Sequence, residues 1–132
     1  MRFVDANVFI YAFIQSPKKD FDVASEILTR IEKGEETFIT LPVFQEVVDL
    51  LEYNNWRKEV TSFLIAINSY VSLQKITPTW KDYVPALDDM KKYGMEFVDA
   101  LTLQEMKRCA CPQIYSNDKD FDRVDWVKRI WE

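Results

Sequence analysis

Short apolar runs suited to strands alternate along this chain with longer runs of helical spacing, and that alternation restricts the fold more than any other feature. A chain built this way reads as an α/β domain with a mostly parallel sheet, because parallel neighbours need a crossover segment between them. Arg2-Phe3-Val4-Asp5 is a first strand, followed at once by the apolar run of residues 8–14, which Pro17 ends. Phe21, Ala24, Ile27, Leu28 and Ile31 then carry helical spacing, with Gly34 where a helix C-cap belongs. Thr37-Phe38-Ile39-Thr40 is a second strand, and Pro42 falls in the first turn of the next helix, where its missing N–H costs nothing. Val43, Phe44, Val47, Val48 and Leu51 form that helix's buried stripe, with Glu46 and Asp49 off it.

A further helix is predicted over residues 56–70, and a third strand near residues 71–76. Thr79 opens a helix containing Tyr83, Leu87 and Met90 that stops at Gly94; Pro85 inside it either bends it or marks a late start. The last helix spans residues 96–110 and ends before Pro112. Gln113-Ile114-Tyr115-Ser116 is the fourth strand, leading into the polar loop Asn117-Asp118-Lys119-Asp120. No repeat or low-complexity tract interrupts the 132 residues, and 2 glycines and 5 prolines leave little linker, so one domain over residues 1–132 is expected.

The absence of histidine removes whole classes of chemistry. No Ser-His-Asp triad, Cys-His pair or histidine-ligated zinc can form. Cys109 and Cys111 are the only cysteines; two thiolates cannot close a zinc site alone, and an offset of two on a helix sends them to opposite sides. They read as buried filler. Asp5 and Asn7 break the apolar N-terminus where a secretory signal needs continuity, and the longest uncharged stretch, residues 60–74, is shorter than the ~20 residues of a membrane span. A cytoplasmic protein with no membrane segment is expected.

The net charge of −5 argues against a tight, non-specific binder of nucleic acid, which needs a basic footprint. It does not argue against a metal-dependent nuclease, whose ligating carboxylates make the chain acidic while the bound cation reverses the local field.

The order of elements also places the acids. In an open α/β sheet, ligands collect beyond the carboxyl ends of the strands, the edge that helix N-termini share. Asp5 follows the first strand and Asp118 the fourth; Asp99 lies in the first turn of one helix and Glu46 in the first or second turn of another. All four can meet at one place. Two unit charges at 4 Å repel by about 4 kcal/mol at an effective dielectric of 20, so such a cluster raises its members' pKa values or recruits a cation. Oxygen-only ligands suit Mg²⁺ or Mn²⁺, which activate water for phosphodiester hydrolysis without histidine.

Phe-Val-Asp5-Ala-Asn7, Glu46 after Leu-Pro-Val-Phe-Gln, Glu-Phe-Val-Asp99-Ala-Leu and Ile-Tyr-Ser-Asn-Asp118-Lys-Asp120-Phe together resemble the PIN domain, most closely the VapC-like toxins of toxin–antitoxin pairs. Each motif alone is weak; the ordered set over the whole chain is specific. The resemblance implies a three-layer sandwich around a central parallel sheet, Mg²⁺- or Mn²⁺-dependent endoribonuclease activity, and commonly a homodimer. It implies RNA as substrate and, for the toxin of a type II pair, a small antitoxin protein as partner. Asp5, Glu46, Asp99 and Asp118 match the family's acidic positions, and Asp120 matches an additional acid of the last motif that is sometimes near the metal. Asn7 matches the small polar residue that orients the first Asp. Ser116 stands where Thr is more frequent and keeps the hydroxyl; Ala6 replaces a more frequent Thr and loses one.

Plainer readings stand beside these. Asp5 also suits a helix N-cap, Asp99 is favoured by the helix dipole whatever its function, and Glu46 off the apolar stripe could be a solvated face, as Asp49 and Glu52 are read. Asp118 and Asp120 fit an ordinary turn. Asp88-Asp89, Asp122 and Asp125 read as surface charge. Lys119 and Arg123 are candidates for phosphate contact, and Tyr11, Phe13 and Trp56 for base stacking or a partner helix, though aromatics at helical spacing more often serve the core. Competing functions are an RNA-processing nuclease of the same fold and an inactive PIN-like binding module. A phosphoacceptor domain would need an acceptor Asp on a middle strand, and the second and third strands offer none.

Overall fold

Three strands carry a large apolar side chain to each face in turn, and this alternation builds the layers. A computed structural model describes residues 1–132. In chain order the elements are β1 (Arg2–Val4), α1 (Ala6–Ile14), α2 (Lys18–Glu32), β2 (Thr37–Thr40), α3 (Leu41–Tyr53), α4 (Arg57–Ser69), β3 (Leu73–Ile76), α5 (Trp80–Tyr93), α6 (Phe97–Arg108), β4 (Gln113–Tyr115), a 3₁₀ turn (Lys119–Arg123) and β5 (Lys128–Ile130). The sheet runs β3-β2-β1-β4-β5 with every pair parallel, Phe3 facing Phe38 on one side and Ile114 on the other. All carboxyl ends of the strands therefore lie along one edge.

Phe3, Phe38 and Ile114 point to one face and pack with Met95, Leu103, Met106, Phe121 and Val124. Val4, Ile39 and Tyr115, one residue later on each strand, point to the other and join side chains of α1, α2, α3 and α4. Three layers result: four helices, the sheet, and α6 with α5 outside it. The period of two along a strand makes this division obligatory. α6 is buried on most of its circumference, with Ala100, Leu101, Leu103 and Met106 all covered, because the sheet lies on one side and α5 on another.

Local signals set the boundaries. Asp5 caps α1, Thr40 caps α3 with Pro42 in its first turn, and Thr79 with Asp82 forms a capping box on α5. α5 starts at this box, so Pro85 lies inside the helix instead of marking its beginning. Gly94 ends α5 in the left-handed conformation, φ 63°. No helix is long and apolar enough to cross a membrane.

Three features depart from the sequence reading. β5 is a fifth strand, and its Lys-Arg-Ile sequence carries no apolar run; it is an edge strand held by pairing with β4, where charged residues are tolerated. Asp89 is buried, not surface charge: it lies one turn from Ala86 on the face of α5 that meets α6, where Gln104 donates to its carboxylate and Lys107 lies 3.8 Å away. Asp88 is exposed. Of the two cysteines, Cys111 is buried and Cys109 half-buried, both as free thiols.

Leu103 and Leu64 give a test of where stability resides, since Leu103 is fully buried and Leu64 is 54% exposed. Leu103→Ala is expected to lower the unfolding free energy by about 2–5 kcal/mol and Leu64→Ala by much less. Urea denaturation read by circular dichroism compares them, and equal losses would contradict this placement of the core.

Candidate active site

The carboxyl edge of β1 and β4 is stitched together around one buried carboxylate. Asp5 closes β1 and caps α1, its Oδ1 accepting from the Ala6 backbone N–H at 2.8 Å. Its Oδ2 accepts from the Ser116 hydroxyl at 2.7 Å and from the Asn7 side-chain amide at 3.1 Å. Ser116 Oγ in turn accepts from the Asn7 amide at 3.1 Å and from the Asp118 backbone N–H at 3.0 Å, while Asn7 Oδ1 accepts from the Asn117 N–H at 3.0 Å. Asn7 and Ser116, separated by 109 positions, thus fix both the orientation of Asp5 and the loop that presents Asp118. The N-cap bond of Asp5 and its bonds to Ser116 and Asn7 use different oxygens.

Two other elements bring acids to this edge. Asp99 projects from the first turn of α6 and is buried. Glu46, in the second turn of α3, is exposed as a residue at the rim, with its carboxyl partly shielded by the surrounding protein. The Asp99 carboxyl is pushed up to about 8, first by burial and then by the charges of Asp5, Asp118, Glu46 and Glu96. Glu46 is pushed up to about 7 by burial, then by Asp5, Glu96, Asp118 and Asp49. Burial also raises Asp5, with hydrogen bonds from Ser116, Ala6 and Asn7 pulling the other way. Asp5, Glu46, Asp99 and Asp118 therefore lie within electrostatic reach of one another.

Glu96 is a fifth acid here, and the sequence reading passed over it. It is the N-cap residue of α6, three positions before Asp99. A helix places residues three apart on one side, and that spacing was the available signal. Asn117 is a second omission; its side-chain amide donates to the Tyr11 hydroxyl at 3.1 Å. No sequence pattern links residues 106 positions apart.

The remaining candidates fall outside the cluster's centre. Asp120 donates its N–H to Asp118 Oδ1 at 2.9 Å, while its own Oδ1 pairs with Arg123 at 3.0 Å. Lys119 is exposed. Asp122 is paired with Arg129 at 3.0 Å, and Asp125, Asp49 and Glu52 are exposed. Tyr11 lies 5.8 Å from Trp131, and Phe13 and Trp56 pack against the larger apolar cluster.

The donor set suits a hard divalent cation in kind: carboxylate oxygens only, drawn from β1, α3, α6 and the loop after β4, with raised proton affinities that a cation would relieve. As they stand, no three of the acidic side chains form a set that could hold a metal ion. The acids are gathered by position and charge and would have to close further on an ion.

The PIN domain family profile matches residues 2–127. Among curated proteins no match was found. Among solved structures, the sarcin–ricin-loop-cleaving toxin VapC20 of Mycobacterium tuberculosis superposes with a TM-score of 0.81 at 17% identity, covering 96% of this chain and 97% of that one. VapBC2 from Rickettsia felis, bound to a promoter DNA fragment, gives 0.73 at 18% identity with 99% and 98% covered. A toxin–antitoxin complex from Klebsiella pneumoniae gives 0.68 at 15% identity with 97% and 96% covered. At these identities the likeness establishes a shared fold.

The charge arrangement has a consequence for stability. Asp99 binds its proton more tightly in the folded chain, at about 8, than at its ordinary 3.8. Its contribution is therefore complete below the lower value and is lost as pH rises through the upper one. In chelator, the melting temperature is expected to fall as pH is raised from roughly 5 to 8, and Asp99→Asn to remove part of that fall. A variant that melts lower than the parent at the alkaline end would contradict the reading.

Proposed function

We propose that this chain, which belongs to the PIN-domain family, is a divalent-metal-dependent endoribonuclease acting as the toxin of a type II toxin–antitoxin pair. The observation that carries the reading is the cluster of Asp5, Glu46, Asp99 and Asp118, from four separate segments, with two members' proton affinities raised first by burial and then by the others' charges. Residues 1–132 are read as one such domain, working in the cytoplasm as a homodimer.

In this reading Asp5, Glu46, Asp99 and Asp118 hold Mg²⁺ or Mn²⁺, with Asp120 as an outer acid. A divalent cation held there would supply Lewis-acid activation of water and neutralisation of charge on the phosphodiester. Every other contribution comes from the chain. Ser116 and Asn7 fix the Asp5 carboxylate so that it presents one orientation instead of several. Asp99, buried at the helix N-terminus with its carboxyl pushed up to about 8, is an anion that a cation would relieve. Glu46 at the solvent-facing rim sits where substrate would enter. Lys119, exposed beside Asp118, is the candidate phosphate contact.

The partner reading rests on an apolar pocket of about 240 Å³ lined by Ile39, Leu41, Phe44, Leu64, Ile67 and Ile76. It opens at the carboxyl ends of β2 and β3, along the edge that carries the acids. An apolar anchor from a small antitoxin suits a site of this composition.

A second reading, an inactive PIN-like binding module, is favoured by one observation, the lack of any three acids already forming a set for a metal ion. One assay separates the two. RNA cleavage is expected with Mn²⁺ or Mg²⁺, to be abolished by chelator, and to fall roughly 100-fold or more in Asp99→Asn, the scale on which a key charge-stabilising group acts. Metal-stimulated cleavage that survives Asp99→Asn would belong to another site. No cleavage with either ion would leave the binding module.

A further inference from the structure

The acid cluster is assembled from two halves that no strand pairing joins. β1 and β4 supply Asp5 and Asp118 through the Ser116–Asn7 stitch. Glu96 and Asp99 arrive separately, on the turn that follows α5. Met95 on that turn packs in one apolar cluster with Phe121 and Val124, but apolar packing fixes a position only loosely in direction. The hydrogen bonds between the two segments all come from one guanidinium. Arg123, at the end of the 3₁₀ turn, donates from Nη1 to the Tyr93 carbonyl at 3.3 Å and to the Gly94 carbonyl at 3.0 Å. Its Nη2 pairs with Asp120 Oδ1 at 3.0 Å, and the Asp120 N–H donates to Asp118 Oδ1 at 2.9 Å.

The two carbonyls are available for a chemical reason. They belong to the last turn of α5, where no following helical N–H satisfies them, and the left-handed Gly94 turns the chain there. A guanidinium meets such a site with several donors in one plane, at fixed angles. Lysine carries the same charge but has no fork.

We infer that Arg123 is a positioning residue that braces the α5–α6 turn, and with it Glu96 and Asp99, against the loop carrying Asp118 and Asp120. This rests on the metal-dependent reading of the site. It replaces the expectation, drawn from sequence, that Arg123 meets RNA phosphate: the side chain is half-exposed, but its donors are directed at protein groups.

The test is Mn²⁺ binding without RNA, measured by titration calorimetry on the parent, Arg123→Ala and Arg123→Lys, with near-ultraviolet circular dichroism in chelator to compare folding. Loss of an outer-shell orienting group weakens metal binding by about 10–100-fold, so both variants are expected to bind roughly tenfold more weakly, with lysine failing to rescue. A surface cation acts with the opposite sign, because removing positive charge beside an acid cluster favours a cation. A phosphate contact leaves Mn²⁺ affinity unchanged and raises the KM for RNA. Unchanged or tighter Mn²⁺ binding in the variants overturns the brace. A parent that binds no Mn²⁺ overturns the metal reading itself, and the brace falls with it.

Discussion

Burying the carboxylate of Asp5 between a central strand and a helix is the constraint on which the architecture of this edge depends. An ionised carboxyl group taken out of water costs several kcal/mol unless hydrogen bonds replace its hydration. Asp5 recovers three, from Ala6, Ser116 and Asn7, and together they draw the start of α1 and the chain after β4 to the same point. Ala6 begins α1, Ser116 follows β4, and Asn7 reaches across to hold the Asn117 backbone. The loop bearing Asp118 is placed by groups that are there to satisfy Asp5.

These hydrogen bonds offset the burial of Asp5 only in part, since its carboxyl stays raised, and they do nothing for the rest of the cluster. Asp99 and Glu46 receive no comparable set of donors and sit among like charges, so both are held towards the protonated form at neutral pH. A fold stabilised only by its core would gain nothing from this arrangement, since ionising a buried acid lowers stability. Unfavourable charge kept at one place, on an edge where the strand order gathers helix N-termini, is the feature on which the proposed cation site rests. The arginines nearby are engaged with protein: Arg123 with the α5–α6 turn and Asp120, Arg129 with Asp122 and the Ser116 carbonyl. Little positive surface is left free here, which agrees with a chain of net charge −5.

Much of this was legible in the residues. β1, β2 and β4 were readable because each is a short apolar run between turn signals, and parallel pairing then puts Asp5 and Asp118 on one edge with the first turns of α3 and α6. β5 was not, because Lys-Arg-Ile becomes a strand only through its neighbour. Asp89 looked like surface charge because its burial depends on how α5 lies against α6, which no local pattern encodes. The partners of Arg123 were hidden for a similar reason. Its partners include two backbone carbonyls about 30 positions away, and carbonyls are invisible in a sequence. Side-chain types and their periodicity carry the fold; the direction in which a charged side chain finally points is a tertiary fact.

The central claim, that distant carboxylates share protons they surrender only to a cation, is tested most directly by counting protons released when Mn²⁺ binds. Calorimetry near pH 7 in buffers of different ionisation enthalpy gives that number. Net proton release is expected near neutrality, and it should diminish as pH rises past about 7 and 8, where Glu46 and Asp99 give up their protons without a cation. Binding with no proton release, or no binding at all, would contradict it.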